Sequence, residues 1–497
     1  DKDVIVKSST VGKGARDLLF AGLFPGILIG LFAAWGGTAS LGWVVLIGAI
    51  LLVLVGSPLF LAIGLASLAC VTLIQDISAY NISKDMYEAV KKEELLAIPF
   101  FVLAGNLMTE GTIAQRLVGV ARAAMGRTPG GLGLASIAAC VIFAAISGSS
   151  PVTVIAVGSI MFPMLVKERY PENYSLGVLT SAGSLGIIIP PSVPMIIYAI
   201  MVSQTLTSVG KEYIIPETGL LPGGLDPTQV LQVSPTKLFV AGVIPGIILS
   251  LMFAFYNFSK AVINPKLAPE PDTIGDLTKL TNNQIISGFS ILGLIVIVLG
   301  GIWGGIFTPT EAAGMGALAS FGIALFKGMR WNGIVESVID AGKTSAPIMI
   351  LLITAGMYSR FLSLSDIDSV IVDAMTSFGL NSFMILVMMV VIWLILGMLL
   401  DSISIILLTV PLFVLLAGDM NPYAFAIFGI LAIEAGLLTP PFGLIVYTVK
   451  GVLAAGGDNV SLGSIFKGSI PYWIMMLIVM LLVAFIPELA SWPTQFV

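Results

Sequence analysis

The stretch GSLGIIIPPSVP, Gly183 to Pro194, determines which fold the rest of this chain is expected to adopt. It places two adjacent prolines, with a glycine four residues before the first, inside an apolar segment. Proline lacks a backbone donor and clashes with the preceding helical turn, so the pair predicts a broken helix. A second stretch, IEAGLLTPPFGL at Ile433 to Leu444, has the same features. Two such breaks in corresponding places of a membrane chain are typical of an ion and substrate site.

The composition indicates an integral membrane protein. Of 497 residues, 57% are apolar and 10% are charged, and the mean hydropathy is +1.04, which leaves too few charges to cover a soluble surface. Recurring apolar runs predict one all-α polytopic membrane domain of about ten or more helices. The chain has no histidine, which excludes imidazole metal sites, acid–base catalysis and proton relays. It also has no phosphate-binding loop, so we expect a gradient rather than ATP to supply energy within this chain.

An internal repeat divides the chain into two halves. The segment LLFAGLFPGILIGLFA (Leu18 to Ala33) returns as LFVAGVIPGIILSLMFA (Leu238 to Ala254). A register kept over such a distance predicts two structural repeats rather than unrelated helix kinks. After this segment the prolines share a common register, with offsets of 248 to 251 residues: Pro58 with Pro309, Pro99 with Pro347, Pro163 with Pro411, and Pro190 with Pro440.

Each half also contains an apolar run that is interrupted by a polar tip. The first tip is SGSS, Ser147 to Ser150, and the second contains Asp401 and Ser402. The arms on either side are about 12 to 15 residues long, too short for a hydrocarbon core of about 30 Å, so we predict re-entrant hairpins. Five crossings per repeat would then make the two repeats inverted relative to each other.

The predicted organisation has five parts. In chain order they are a cytoplasmic N-terminal tail (1–16), a first repeat (17–202), an outward loop (203–236), a second repeat (237–450) and a C-terminal helix (451–497). The hairpins are expected near 132–166 and 382–416, and the broken helices near 174–202 and 423–449. With the N-terminus in the cytoplasm, 17 of the 23 basic residues fall inside, and the C-terminus faces outward. The other six fall outside: Lys84, Lys91, Lys92, Lys211, Lys237 and Arg360.

The first tip and the first break offer oxygen ligands. The tip supplies small hydroxyls, and the helix that starts there supplies free N–H groups to an anion. Small-residue helix packing explains the same tip about equally well. Opposite it, carbonyls freed by the break can complete an all-oxygen site for a hard cation, for which sodium is the natural candidate. These carbonyls belong to Gly186, Ile189 and Pro191.

The second half offers matching pieces. Gly397, Asp401 and Ser402 lie at its tip, and Gly436, Thr439 and Phe442 at its break. We expect Asp401 to be buried between apolar arms, at a cost of about 3 kcal/mol, which marks it as a functional candidate. Glu434 carries the same hypothesis, with a helix-end charge or a backbone-bonded carboxylate as the alternative. Glu311, three residues after Thr308, is better explained as an N-terminal cap.

Six motifs together resemble the large membrane subunit of tripartite ATP-independent periplasmic (TRAP) transporters. The resemblance runs from about Ser40 to the C-terminus. It implies an elevator-type symport carrier in the bacterial inner membrane, driven by sodium, that takes an organic acid from a periplasmic substrate-binding protein and works with a small four-helix membrane subunit. The motifs are AIPFFVLAGNLM (Ala97 to Met108), AISGSS (Ala145 to Ser150), GIIIPPSVP (Gly186 to Pro194), GIFTPTEAAG (Gly305 to Gly314), GMLLD (Gly397 to Asp401) and GLLTPPFGL (Gly436 to Leu444).

The resemblance also implies two sodium sites, each made by a hairpin tip and the facing broken helix. The first would involve Ser147, Ser150, Gly186, Ile189 and Pro191, and the second Gly397, Gly436, Thr439 and Phe442. A small organic acid would bind between the tips, at Ser147, Ser149, Ser150, Asp401 and Ser402. The chain has one extra helix at Leu18 to Ala33, too little for a fused small subunit, so that subunit should be a separate chain.

Two alternatives stay open. One is a stand-alone sodium/dicarboxylate symporter that needs no binding protein. The other is a membrane-embedded enzyme that uses Asp401 and Glu434 as a carboxylate pair. On the transporter interpretation we expect no catalytic residue and no nucleic-acid partner, and the chain contacts membrane lipid.

Overall fold

The computed structural model describes residues 48, 52, 57–73, 79–110, 113–125, 128–210, 232–267, 282–326, 328–364, 381–417 and 420–497. These residues form helices and their connections, without a strand in the described ranges, which agrees with the predicted all-α class. The predicted cytoplasmic tail, the first helix Leu18 to Ala33 and positions 211–231 of the predicted outward loop lie outside the described residues.

The described helices of the first half include a helix pair and a helix that breaks after Gly183. A 3₁₀ turn at Glu93–Leu96 leads into the third helix, and another at Ser184–Ile187 follows the seventh. The helices are α1 (Leu59–Leu73), α2 (Ala79–Val90), α3 (Ala97–Glu110), α4 (Ile113–Met125), α5 (Gly131–Ser147), α6 (Ser150–Lys167), α7 (Glu172–Gly183) and α8 (Val193–Gly210).

The described helices of the second half follow a similar order. They end in a short C-terminal segment with a 3₁₀ turn at Trp492–Phe496. The helices are α9 (Pro235–Ile263), α10 (Asn282–Trp303), α11 (Pro309–Phe326), α12 (Trp331–Leu364), α13 (Ser382–Gly397), α14 (Ser402–Leu416), α15 (Pro422–Leu437), α16 (Leu444–Ala455), α17 (Leu462–Phe485) and α18 (Glu488–Ser491).

Two sequence-based expectations need correction. The arms of the first helix pair, α5 and α6, are 17 and 18 residues long, not 12 to 15, because the helices continue through small residues up to the tip. An 18-residue helix is about 27 Å long, so arm length no longer supports a re-entrant course for this pair. The predicted outward loop also begins too early, because α8 continues from Ser203 to Gly210.

Several described helices fit a membrane by length and composition. Four are long and apolar enough to span one: Ser150–Lys167, Pro235–Ile263, Trp331–Ser359 and Leu462–Phe485. A bent pair, Glu93–Thr109 with Ala114–Met125, passes the same test with a 71° angle between its parts. Large apolar side chains such as Phe255, Val296 and Leu318 are exposed on the outer faces of α9, α10 and α11, as expected of a surface that meets lipid or another membrane protein.

The helices pack into two groups. The scaffold group contains α1, α2, α3, α10, α11 and α12, in which α3 packs on α11 and α12 packs on α1, α2 and α3. The core group contains the two helix pairs (α5 with α6, α13 with α14), both broken helices, α9 and α17. Helix α9 contacts α5, α15 and α17 more extensively than it contacts α10.

The two broken helices cross between the helix pairs. Their first parts pack on the nearest pair in sequence, α7 on α5 and α6, and α15 on α13 and α14. Their second parts cross over, since α8 packs on α14 and α16 packs on α6. Each helix pair is therefore held by parts of both breaks.

Helix α17 closes the core group. It packs on α7 and on α15, which are the first parts of the two broken helices. Its contact with α7 runs through two glycines, because a Cβ on Gly177 would lie 2.1 Å from the carbonyl oxygen of Gly468. No side chain fits between the two backbones at this point.

Candidate cation and substrate site

The first tip lies directly against the first break. Helix α5 ends at Ser147, Gly148 turns the chain with φ +58°, and α6 starts at Ser150. The amide of Val193, just after the two prolines, donates to the carbonyl of Gly148 at 3.3 Å. The hydroxyl of Ser150 donates to the carbonyl of Ser184 at 3.2 Å. The structure thus brings the predicted tip residues and the predicted break together.

Gly186 is the point of closest approach between tip and break. A Cβ at this position would lie 2.6 Å from the carbonyl carbon of Ser149 and 2.6 Å from the Cα of Ser150. Gly148 is equally confined, because its Cβ would lie 2.7 Å from the carbonyl oxygen of Pro191. Both glycines are needed for two backbones to meet here.

Buried hydroxyls surround this contact. Ser147 is buried and shares a hydrogen bond of 3.0 Å with Thr153, which in turn donates to the carbonyl of Ser149 at 2.8 Å. Ser192 is fully buried beside Gly148, and its hydroxyl has no hydrogen-bond partner among the described residues. Buried polar atoms without a hydrogen-bond partner are uncommon in folded proteins and need an explanation.

The remaining predicted first-site residues differ in position. The carbonyl of Pro191 faces the tip through Gly148. Ile189 is half-buried, its amide donates to the carbonyl of Leu185 at 2.9 Å, and its side chain lies against Gly246 of α9. Ser149 occupies the N-cap position of α6 in an extended conformation, without a capping hydrogen bond from its side chain.

The second tip and the second break also meet through glycines. A Cβ on Gly397 would lie 2.5 Å from the Cα of Gly436, and a Cβ on Gly436 would lie 2.7 Å from the carbonyl oxygen of Trp393. Gly443, with φ +36°, brings the chain back towards the carbonyls of Leu437 and Thr439. The predicted pair Gly397 and Gly436 is therefore in backbone contact.

Trp473 of α17 holds the second break, and the sequence reasoning missed it. Its indole N–H lies 3.1 Å from the carbonyl oxygen of Ala435 and 3.2 Å from the hydroxyl of Thr439. The Thr439 hydroxyl itself donates to the Ala435 carbonyl at 2.8 Å. A tryptophan inside an apolar helix whose N–H needs a partner was the available signal.

Asp401 is not the buried carboxylate that was predicted. The residue is exposed, and its side chain caps α14 by accepting from the amides of Ile403 and Ser404 at 3.1 and 3.2 Å and from the Ser404 hydroxyl. Aspartate is favoured at this position because its oxygens satisfy the free N–H groups of the first turn. The cap, rather than burial between apolar arms, accounts for an acidic residue at the tip.

The second break is more open than the first. Pro440, Pro441 and Phe442 are exposed, Phe442 by 52%, whereas Pro190, Pro191 and Ser192 are buried. Ser402 is half-buried at the start of α14. No hydrogen bond among the described residues joins Asp401 or Ser402 to Ser147, Ser149 or Ser150.

Glu434 is fully buried on α15 and is the only charged side chain in the buried core of the described residues. Neither carboxylate oxygen forms a hydrogen bond within the described part of the chain, although the group lies within electrostatic reach of the Ser150 hydroxyl. Glu311, by contrast, forms the predicted cap: its carboxylate accepts from the Thr308 amide at 2.9 Å, and the Thr308 hydroxyl accepts from the Glu311 amide at 3.2 Å.

The donor set fits a hard monovalent cation better than a transition metal. Hydroxyls and carbonyls are the polar atoms at both contacts, and oxygen donors suit hard cations. Among the residues that the structure describes, no three His, Cys, Asp or Glu side chains lie close enough together to hold a metal ion. The unpartnered hydroxyl of Ser192, at the first contact, is consistent with a ligand there.

Two polar tips that each meet a Pro-Pro break, inside an apolar helical chain, define a multi-pass membrane transporter. The model of the family "Tripartite ATP-independent periplasmic transporter, DctM component" matches residues 46–489. The C4-dicarboxylate TRAP transporter large permease protein DctM of Rhodobacter capsulatus is 32% identical over 451 residues, covering 89% of this chain and 96% of that protein. This chain therefore belongs to the family of TRAP transporter large permease subunits.

Two further comparisons extend this result. The isethionate TRAP transporter permease protein DctMQ of Oleidesulfovibrio alaskensis is 29% identical over 445 residues, which cover 88% of this chain and 64% of that protein. The crystal structure of the YdaH transporter of Alcanivorax borkumensis aligns with a TM-score of 0.55 at 14% identity, over 83% of this chain and 88% of that one, which shows a shared fold.

The comparisons also decide against the enzyme alternative. The relatives are named as transporter permease proteins. In the structure, Asp401 is exposed and engaged as a cap while Glu434 is fully buried, so the two carboxyls occupy different environments. The chain is a transporter subunit and not an enzyme.

Proposed function

We propose that this chain imports a small organic acid in symport with sodium, as the translocating subunit of a three-part system in the bacterial inner membrane. The observation that carries the proposal is the pair of tip-to-break contacts, at Gly186 and at Gly397 with Gly436. The names of two relatives, for a C4-dicarboxylate and for isethionate, support a small organic anion as substrate. A periplasmic binding protein would deliver it, and a small four-helix membrane subunit would accompany this chain.

The two sodium sites would use the groups already at these contacts. In the first, the hydroxyls of Ser147 and Ser150 and the carbonyls of Gly186, Ile189 and Pro191 are the proposed ligands. In the second, the proposed ligands are carbonyls of Gly397, Gly436 and Phe442 together with Thr439. The close backbone contact at each site means that ordering one element orders the other, which couples ion binding to the shape of the tips.

The substrate would bind beside the tips, at Ser147, Ser149, Ser150, Asp401 and Ser402. Free amides and small hydroxyls at the start of α6 suit a carboxylate. Asp401 would contribute to this site by capping the start of α14. It would not bond directly to the organic acid, because like charges repel.

The two packing groups support an elevator-type movement. The scaffold group would stay fixed while the helix pairs and the broken helices move as the core group, in two repeats of inverted topology. Helix α9, the first helix of the second repeat, is assigned to the moving group because it packs on α5, α15 and α17. With the N-terminus in the cytoplasm, the C-terminus would lie in the periplasm.

The proposal is tested by uptake of a labelled organic acid into proteoliposomes that contain this chain and its small subunit, with the binding protein outside. Uptake should require an inward sodium gradient and should be abolished in Ser150→Ala and in Gly436→Val, while both variants remain in the membrane. Gly158→Ala is the matched control, because its Cβ would meet only Val154, at 3.9 Å.

The outcomes separate the alternatives. Uptake that proceeds equally with potassium in place of sodium refutes sodium coupling. Uptake by this chain without the binding protein supports the stand-alone symporter instead. Unchanged uptake in both Ser150→Ala and Gly436→Val refutes the assignment of the two sites.

A further inference from the structure

The carboxylate of Glu434 has no oppositely charged partner among the buried residues that the structure describes. Its side chain is fully buried, and both carboxylate oxygens lack hydrogen-bond partners within the described ranges. No lysine or arginine is found in the buried core of those residues. A buried ionised carboxylate without a partner is strongly unfavourable, so such a group is either protonated or placed beside a cation or a strong donor.

The position of Glu434 links it to the first contact although it belongs to the second half of the chain. It lies on α15, which packs on the 3₁₀ turn Ser184–Ile187. Its carboxylate lies within electrostatic reach of the hydroxyl of Ser150 without a hydrogen bond to it, and that hydroxyl donates to the carbonyl of Ser184. Ser150 therefore connects Glu434 to the first tip and to the first break at once.

The other proposed ligands of the first sodium site are all neutral. They are two hydroxyls and three carbonyls, which leave the positive charge of a bound cation uncompensated in a low-dielectric interior. The carboxylate of Glu434, which lies beyond Ser150, supplies that compensation. Groups just beyond the direct ligands influence the affinity of cation sites. The start of α6 at Ser150 also favours a negative charge.

We infer that Glu434 is the charge-compensating residue of the first sodium site, acting through Ser150 or as a direct oxygen ligand. This inference rests on the proposed sodium coupling. It makes the first site a joint product of both halves: the tip and the break come from the first, and the negative charge comes from the second break, two residues before Gly436. Ion binding at the first site then depends on the position of α15, and through Gly436 on the second site.

Sodium-dependent thermal stabilisation of the purified full chain tests the inference without transport. A ligand that binds the folded state raises the unfolding temperature with its concentration. Sodium chloride is titrated against choline chloride at constant ionic strength, so that screening does not change. In Glu434→Gln, which keeps the shape and removes the charge, the sodium concentration for half-maximal stabilisation should rise about tenfold or more.

Two variants serve as controls. Glu172→Gln removes an exposed carboxylate at the far end of α7 and should leave the sodium titration unchanged. Glu434→Asp keeps the charge one methylene further away and should give an intermediate shift. If Glu434→Gln does not yield folded protein, the titration of Glu434→Asp decides, and an unchanged midpoint in that variant overturns the inference.

The results separate this inference from the proposed function. If the unaltered chain shows no stabilisation specific to sodium, the sodium coupling itself is wrong. If the unaltered chain responds to sodium and Glu434→Gln responds at the same concentrations, sodium coupling stands and the role of Glu434 is refuted. A Glu434→Gln protein with a lower unfolding temperature but an unchanged sodium midpoint refutes it too, because Glu434 would then only stabilise the start of α6.

Discussion

The close contact at Gly186 predicts that adding a single methyl group at this position would push the first tip and the first break apart. In Gly186→Ala the new Cβ would lie 2.6 Å from backbone atoms of Ser149 and Ser150, whereas ordinary contacts are 3.4 to 4 Å. Backbone atoms cannot swing away as a side-chain end can, so tip and break must move apart by about 0.8 Å or more. Overpacking of this kind costs about 1–3 kcal/mol.

The cost should fall mainly on the form in which tip and break are closed. If that form binds sodium, 1–3 kcal/mol corresponds to a loss of about 5- to 150-fold in sodium affinity. The measurement is the sodium dependence of organic-acid uptake in proteoliposomes together with the sodium titration of thermal unfolding. Both midpoints should move to higher sodium concentration.

Gly158→Ala provides the matched control for Gly186→Ala. Both glycines are buried in the same part of the core group, but a Cβ at Gly158 would meet only Val154, at 3.9 Å. Alanine in a helix is favoured over glycine by about 0.5–1 kcal/mol, so this variant should be as stable as the unaltered chain or more so. Equal sodium midpoints in Gly186→Ala and Gly158→Ala would refute the assignment of a cation site to the first contact.

Two further predictions concern the second half. Trp473→Phe removes the N–H that bonds the Ala435 carbonyl and the Thr439 hydroxyl, so sodium affinity should fall by about 1 kcal/mol, roughly fivefold, with a lower Hill coefficient for sodium in uptake. Asp401→Ala removes the cap of α14 and should lower the free energy of unfolding by about 1 kcal/mol. Asp401→Asn keeps the cap, so its thermal stability and its uptake should stay near those of the unaltered chain.

Each of these predictions has a contrary result. A Trp473→Phe protein with an unchanged sodium Hill coefficient would mean that the indole N–H only packs against the break. Loss of uptake in Asp401→Asn, with normal thermal stability, would show that the charge of Asp401 acts on the substrate path in addition to capping the helix.

Local patterns in the sequence were enough to locate the main elements. Prolines, glycines and polar tips are local signals, and they predicted re-entrant hairpins near 132–166 and 382–416. The structure has helix pairs at Gly131–Ser147 with Ser150–Lys167 and at Ser382–Gly397 with Ser402–Leu416, while the re-entrant course stays a prediction. The sequence analysis expected each break to face a tip, but the backbone contacts of Gly186 with the first tip and of Gly436 with Gly397 appear only in the structure, where glycine permits two backbones to meet.

What the sequence did not reveal depends on contacts between distant segments. The full burial of Glu434 depends on how α15 packs against other helices and against the turn Ser184–Ile187, and no periodicity within α15 encodes those neighbours. Asp401 was taken for a buried charge because its flanks are apolar, yet a turn exposes it and the helix start uses it as a cap. The partner of Trp473 is likewise fixed by how α17 packs on α15.

The glycine contact between α7 and α17 has a consequence for biosynthesis. Gly177 belongs to the first broken helix, while Gly468 belongs to the last long helix. Chains emerge from the ribosome N-terminus first, so the first broken helix enters the membrane long before the surface that covers it has been made. This glycine face of α7 lacks its native cover until translation is nearly complete, and truncation before α17 should therefore leave it exposed.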